Sequence, residues 1–301
     1  MIEILNKFYE YFIKGDFHDQ KNINRNSEFY NFYKIIINEY DLSNDEQTKN
    51  NIREFFNFFD KVDIFGRRRR GLYSPNGLGG AENAKTMFDR YNTASFDWFN
   101  PSPYMISNSS FVYSIKQTKK SFCKAYLSIK PEKYLSTIIR LQDFINKLYI
   151  NHPDEEIGQC KFRNVPANDA IVMRFACEEH YNEFLQYLEQ NKDIMESFDT
   201  PNFFLPQDAY GLSLIVDNGG SYNYFVTRMI WDYMFYCRKM NLSVSIEGIV
   251  EFINNYDCSK DEMINRNGEE IISNYKAVLC GKILSKPNDE LLSLIVKSKA
   301  K

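Results

Sequence analysis

The order of short apolar runs and helical stretches between residues 122 and 217 constrains this chain more than any other feature. Phe122-Cys-Lys-Ala-Tyr-Leu-Ser-Ile129 alternates apolar and polar side chains, the period of a strand. Residues 131–149 then predict a helix, 159–163 and 170–175 two strands, 177–190 a second helix, and Leu212-Ser-Leu-Ile-Val-Asp217 a fourth strand. The resulting expectation is an α+β fold whose sheet domain follows the split β-α-β-β-α-β order. The strands carry an unusual set of polar residues: Lys124, Tyr126 and Lys130 on the first, Lys161 and Arg163 on the second, Arg174 on the third. Cations spread over neighbouring strands describe a face that receives an anion. Arg174 is the most demanding of them, because it interrupts the apolar run Ile171-Val-Met-Arg-Phe175 and a charge there needs a partner. Lys124, Tyr126 and Ser128 also have a plainer reading, as the solvated side of a half-buried strand.

The flanks read as helical. Ile2, Leu5, Phe8, Tyr9 and Phe12 form one helical stripe, Phe29, Phe32, Ile35 and Ile36 a second, and Ile52, Phe55, Phe56 and Phe59 a third. After the sheet, a long helix is expected over 222–240, followed by apolar stripes over 245–256 and 269–284. The expected division is residues 1–103 as a helical region with an Arg/Gly-rich loop, 104–240 as the sheet domain, and 241–301 as a helical cap. The loop is Gly66-Arg-Arg-Arg-Arg-Gly-Leu-Tyr-Ser-Pro-Asn-Gly-Leu-Gly-Gly80. Its arginines at 67–70 fit either recognition of an acidic or phosphorylated segment or a solvated loop, and its glycines lack the spacing of a phosphate-binding loop. Asn100-Pro-Ser-Pro103 reads as a linker.

Composition excludes several classes. A net charge of −3 over 301 residues argues against a nucleic-acid binder. No apolar run reaches the ~18 residues of a membrane span, and the start lacks a signal-peptide pattern, so a cytoplasmic location is expected. The six cysteines include no CxxC pair and read as reduced core thiols. His18, His152 and His180 are far apart in sequence, so no metal cluster is expected, and Glu178 and Glu179 beside His180 suit a helix N-terminus. No nucleophile elbow or Cys-His pairing is visible, and no cofactor is expected.

Lys124-Ala-Tyr-Leu-Ser-Ile-Lys-Pro-Glu132 resembles the strand-to-helix entry of the Hop A-type secreted effector family, relatives of which act in ribosomal peptide maturation. Cys160-Lys-Phe162, Asp169-Ala-Ile-Val-Met-Arg174 and Gly211-Leu-Ser-Leu-Ile-Val-Asp-Asn-Gly-Gly-Ser-Tyr222 follow in the same order, so the resemblance spans residues 110–240. It implies a fold shared with phosphothreonine lyase effectors and the lyase domains of lanthipeptide synthetases. It also implies their activity, β-elimination of phosphate from phosphoserine or phosphothreonine, with a peptide or phosphopeptide as partner and a partner kinase as one source of the phosphate. Such chemistry needs a base, a proton donor and positive charge for the leaving dianion. Lys161 is the candidate base, Tyr126 and Lys124 complete the catalytic set, and Arg174, Arg163 and Arg228 are candidates to hold phosphate through the guanidinium fork. The chain departs from the family pattern at two places. Tyr126 stands where the lyases carry a histidine acid, and Val226 stands where an arginine is expected, with Arg228 two residues on. Either the arginine role shifts along the helix or the activity is lost, and the competing class is a non-catalytic peptide- or phosphopeptide-binding module.

Overall fold

The computed structural model describes residues 1–15, 28–61, 71–73, 104–108, 111–115, 122–152, 155, 158–216 and 220–297. Arginines 67–70 and the linker at 100–103 lie outside the described residues. The chain mixes helix and sheet, as an α+β fold does, and divides into two compact units.

One unit, Glu39–Asn202 with Ala209–Ser213, holds most of the sheet. Its helices are α3 (Glu46–Lys61), α4 (Tyr134–Asn151), α5 (Glu178–Gln190) and the short α6 (Lys192–Glu196). The strands, in chain order, are β1 (Gly71–Tyr73), β2 (Tyr104–Asn108), β3 (Phe111–Ile115), β4 (Cys123–Leu127), β5 (Gly158–Arg163), β6 (Ile171–Phe175) and β7 (Ser213–Ile215), the last straddling the division between units. From β4 to β7 the chain runs strand, helix, two strands, helices, strand. The sheet nevertheless has seven strands, in the order β1-β2-β3-β5-β6-β4-β7. The antiparallel run β1-β2-β3, which continues the sheet beyond β5, is not among the strands the sequence predicts.

Pairing between the described strands β4, β6 and β5 sorts their side chains cleanly. Residues directly opposite one another share a face. Cys123, Ala125 and Leu127 on β4, Ile171, Met173 and Phe175 on β6, and Cys160 and Phe162 on β5 therefore make one apolar face, and all are buried. Helix α5 lies on this side, with Phe184 and Tyr181 each 5.3 Å, ring centre to ring centre, from Phe175. Phe144 of α4 stacks on Phe184 at 5.1 Å, so the two helices close over the sheet together. Pro131 opens a 3-10 turn, Pro131–Lys133, that leads into α4, a position where the missing N–H costs nothing.

The other unit, Met1–Asn38, Phe203–Asp208 and Leu214–Lys301, is helical: α1 (Ile2–Lys14), α2 (Glu28–Ile36), α7 (Tyr222–Met240), α8 (Ile246–Asn255), α9 (Glu262–Asn265), α10 (Glu269–Ile283) and α11 (Asn288–Lys297). The stripes seen in the sequence are its core. Phe12, Phe29 and Phe32 converge on the buried Trp231 of α7, at 4.6, 5.5 and 5.5 Å between ring centres. Helix α7 starts where Ser221 accepts the Tyr224 backbone N–H and stops at Asn241 in the left-handed region, φ 52°. Among the described residues no helix is long and apolar enough to cross a membrane.

One side chain ties α4 to the strands that carry the cations. The fully buried Tyr134 hydroxyl lies 2.7 Å from the Arg163 carbonyl and 3.2 Å from that of Ala170, the two residues that flank the β5–β6 turn. Tyr134→Phe keeps the ring and removes this donor from both buried carbonyls, the Ala170 oxygen keeping the Arg163 backbone N–H. Urea denaturation should show a loss of about 1–3 kcal/mol, and a native-like midpoint would show that the hydroxyl does not hold this corner.

Candidate functional site

The face opposite the apolar one carries the residues singled out in the sequence. Lys124 of β4 pairs directly with Arg174 of β6, and Arg174 pairs in turn with Gln159 of β5. One step along, Tyr126, Val172 and Lys161 form the next row. Arg163 lies two residues beyond Lys161 on the same side of its strand. Alternation and register thus bring Lys124, Tyr126, Lys161, Arg163 and Arg174 onto one face, within three adjacent strands that span roughly 10 Å.

Much of this face is shielded from water, with Lys161 and Arg174 half-buried. Lys124 is 2% exposed, Tyr126 4% and Arg163 5%, which replaces the half-buried strand of the sequence reading with one shielded on both sides. A charge held out of water needs compensation, and Arg163 shows where it comes from. Its guanidinium donates to Asp169 at 3.0 Å and to Glu39 at 2.7 Å. Asp169 sits in the β5–β6 turn and is itself buried, so the tight turn from β5 to β6 builds its own counter-charge. Arg163 therefore enters the site as a neutralised cation with its donors already engaged by carboxylates.

Lys161 is perturbed more deeply. Burial lowers its pKa, Asp169 opposes that, and the positive charges of Arg163, Lys124 and Arg174 lower it again, to about 8. Both effects disfavour an ammonium, the first by removing water and the second by like-charge repulsion. The consequence is an amine that is half neutral near pH 8, next to three cationic side chains. Such a pairing of a free base with fixed cations suits proton abstraction beside a bound dianion.

Arg228 belongs to the helical unit. On α7 its Nε donates to Asp232 at 2.9 Å, Asp261 lies at 3.7 Å, and the Phe29 ring lies 6.0 Å from the guanidinium carbon. Burial works against its charge, but Asp232 together with the Tyr256 and Tyr224 phenols outweighs it and holds the pKa above the ordinary arginine value. Arg228 lines a cavity of about 1010 Å³ bounded also by Tyr224, Asp232, Phe252, Tyr256 and Asp261. Carboxylates and phenols dominate its surroundings there.

The structure corrects one expectation about the histidines. His152 and His180 are brought together with Glu155, their potential ligand atoms all within 4.8 Å of one another. His152 caps the C-terminus of α4 and His180 lies in the first turn of α5, so the packing of those helices, and not sequence spacing, creates the cluster. The signal available in the sequence was the helix end at 152, the acid three residues later, and a histidine at a helix start.

No family model matches the chain, and no curated protein matches it. Among solved structures, the effector protein from Pseudomonas syringae pv. syringae strain 61 is similar over 84% of this chain and 92% of that chain, at 10% sequence identity and a TM-score of 0.38.

The electrostatic origin of the Lys161 shift is testable by itself. Arg174→Gln removes a cation that lowers the lysine, so its titration midpoint should move above about 8. Asp169→Asn removes the carboxylate that raises it, so the midpoint should move below about 8. Titration of the Lys161 ε-carbon by NMR in selectively labelled protein reads both. Midpoints that stay fixed, or move together, would contradict the like-charge explanation.

Proposed function

We propose that the chain is a phosphoserine/phosphothreonine lyase, in which residues 104–240 supply a split β-α-β-β-α-β scaffold and the cationic sheet face supplies the chemistry. The observation that carries this reading is the depressed lysine among fixed cations: Lys161 at about 8, with Lys124, Arg163 and Arg174 beside it. In the reaction the neutral Lys161 amine takes the α-proton of the phosphorylated residue. The electron pair left on Cα forms the Cα=Cβ bond, the Cβ–O bond breaks, and phosphate leaves with that bond's electrons. The products are a dehydroamino acid in the peptide and free phosphate, and Lys161 holds the proton until solvent removes it. Lys124 and Arg174, opposite each other across β4 and β6, stabilise charge on the departing phosphate. Tyr126, in the same row as Lys161, donates a proton to the leaving oxygen and regains one from solvent. Arg163 tunes the lysine through its charge while remaining paired with Asp169 and Glu39. Arg228, if it serves phosphate, does so only by exchanging Asp232 for the ligand.

A second reading, a phosphopeptide-binding module without turnover, is favoured by one observation. Tyrosine occupies the acid position, with a reference pKa of about 10, and is a weak proton donor at neutral pH. The same cations then hold phosphate and nothing is eliminated.

The two readings part at Lys161. As a base it acts only in the transition state, so Lys161→Ala should lower single-turnover elimination on the order of 10²-fold or more while phosphopeptide affinity changes little. Lys161→Arg should fail to restore the rate, because a guanidinium stays protonated. The native rate should rise with pH and level off above about 8, as the amine becomes neutral. A rate that survives in Lys161→Arg, or that is flat from pH 6 to 9, would remove Lys161 from the role of base.

A further inference from the structure

We infer that His152, Glu155 and His180 form a binding site for a zinc-class divalent cation, on the helical side of the sheet and independent of the elimination chemistry. The first support is the donor set and its convergence. The three side chains can each present one ligand atom with all three within 4.8 Å. Two imidazoles and a carboxylate are the donors that zinc and its borderline-soft neighbours take up in preference to magnesium or calcium. Bonds of about 2.1 Å around a tetrahedral ion place neighbouring donors about 3.4 Å apart, so no pair needs to close by more than roughly 1.4 Å. Glu155 is the member able to move, since its side chain is 56% exposed, whereas His180 is 1% exposed and fixed in α5.

The second support is the orientation of the nitrogens. The Glu155 carboxylate already bridges both rings, one oxygen 3.2 Å from His152 Nδ1 and the other 3.1 Å from His180 Nε2. These nitrogens face one point beside Glu155, where a cation would replace two protons. The remaining nitrogen of His152, Nε2, lies 2.7 Å from a Glu183 carboxylate oxygen on α5. A carboxylate that accepts the far N–H of a ligating histidine fixes both tautomer and ring orientation, the usual support for an imidazole on zinc. Glu183 is thus a positioning residue, while His152, Glu155 and His180 are the ligands. The imidazoles stand edge to face, ring centres 4.6 Å apart, so the two rings are held close beside the shared carboxylate. A divalent ion with neutral imidazoles would balance the charges of Glu155 and Glu183.

The third support is a buried atom. Nδ1 of His180 has no hydrogen-bond partner among the described residues, although the ring is almost wholly buried. The ring is thus oriented through Nε2 alone, the nitrogen it offers to the ion. Three protein ligands leave a fourth position open toward the exposed side of Glu155, for water or for one further donor. Bound there, the ion would staple the C-terminal cap of α4 and Glu155 to the first turn of α5.

Equilibrium dialysis of the metal-stripped chain against micromolar Zn2+, followed by metal analysis, should give one zinc per chain and a raised thermal midpoint. Co2+ in its place should show the intense visible bands of a four-coordinate site. Glu155→Gln and His152→Gln alter partly or well exposed side chains, and circular dichroism confirms that they fold. Both should lose the site, and Glu183→Gln should weaken it about 10–100-fold with the ligands intact. A folded native chain that retains no zinc, or Glu155→Gln and His152→Gln variants that bind with native affinity, would overturn the proposal.

Discussion

Like charges held together out of water are the constraint on which the sheet unit depends. Lys124, Lys161, Arg163 and Arg174 occupy one face of three adjacent strands, and the register leaves them no other place to go. Slipping any of these strands by one residue would put the cations among Phe162, Met173 and Phe175 and the apolar residues into the cationic row. The same alternation that buries one face therefore concentrates charge on the other. Asp169 and Glu39 offset part of that charge through Arg163, and the remainder is relieved by the residue best able to give up a proton, Lys161.

That relief links structure to chemistry. A lysine that is half neutral near pH 8, because it is buried and its neighbours are positive, has the protonation a base needs and stands beside three cationic side chains. An arrangement built only to bind phosphate would gain more from a fully charged lysine. Burial of Lys124 and Arg163 adds to this, since water that could screen the cations is largely excluded. Folding and function thus pull against each other at one site, which is where departures from a well-paired interior are to be expected.

Much of this was legible in the sequence, for reasons that differ between elements. Alternation located β4 and β6 to within a residue or two at each end, and the aromatic stripes of α1 and α2 pointed to the Phe12, Phe29 and Phe32 cluster around Trp231. The sharing of one face by Lys124, Lys161 and Arg174 followed only once pairing was known, because alternation within a strand says nothing of its neighbour's register. The run β1-β2-β3 was missed, because its segments lack the flanking helical periods that frame β4 and β6 in the sequence. The depth of burial of Lys124 and Tyr126 was also hidden, since a polar strand face reads the same whether water or protein lies over it. Least legible was the pairing of His152 with His180, which arises from the packing of α4 against α5 and has no signature in spacing.

The central claim is that positive charge and a neutral lysine on one sheet face eliminate phosphate from a phosphorylated side chain. Mass spectrometry of a phosphoserine or phosphothreonine peptide after incubation with the native chain tests it most directly. The account expects a product lighter than the substrate by one phosphoric acid, able to add a thiol across its new double bond. A peptide recovered unchanged across a panel of phosphopeptides that the chain demonstrably binds, or one returned with its hydroxyl restored, would contradict it.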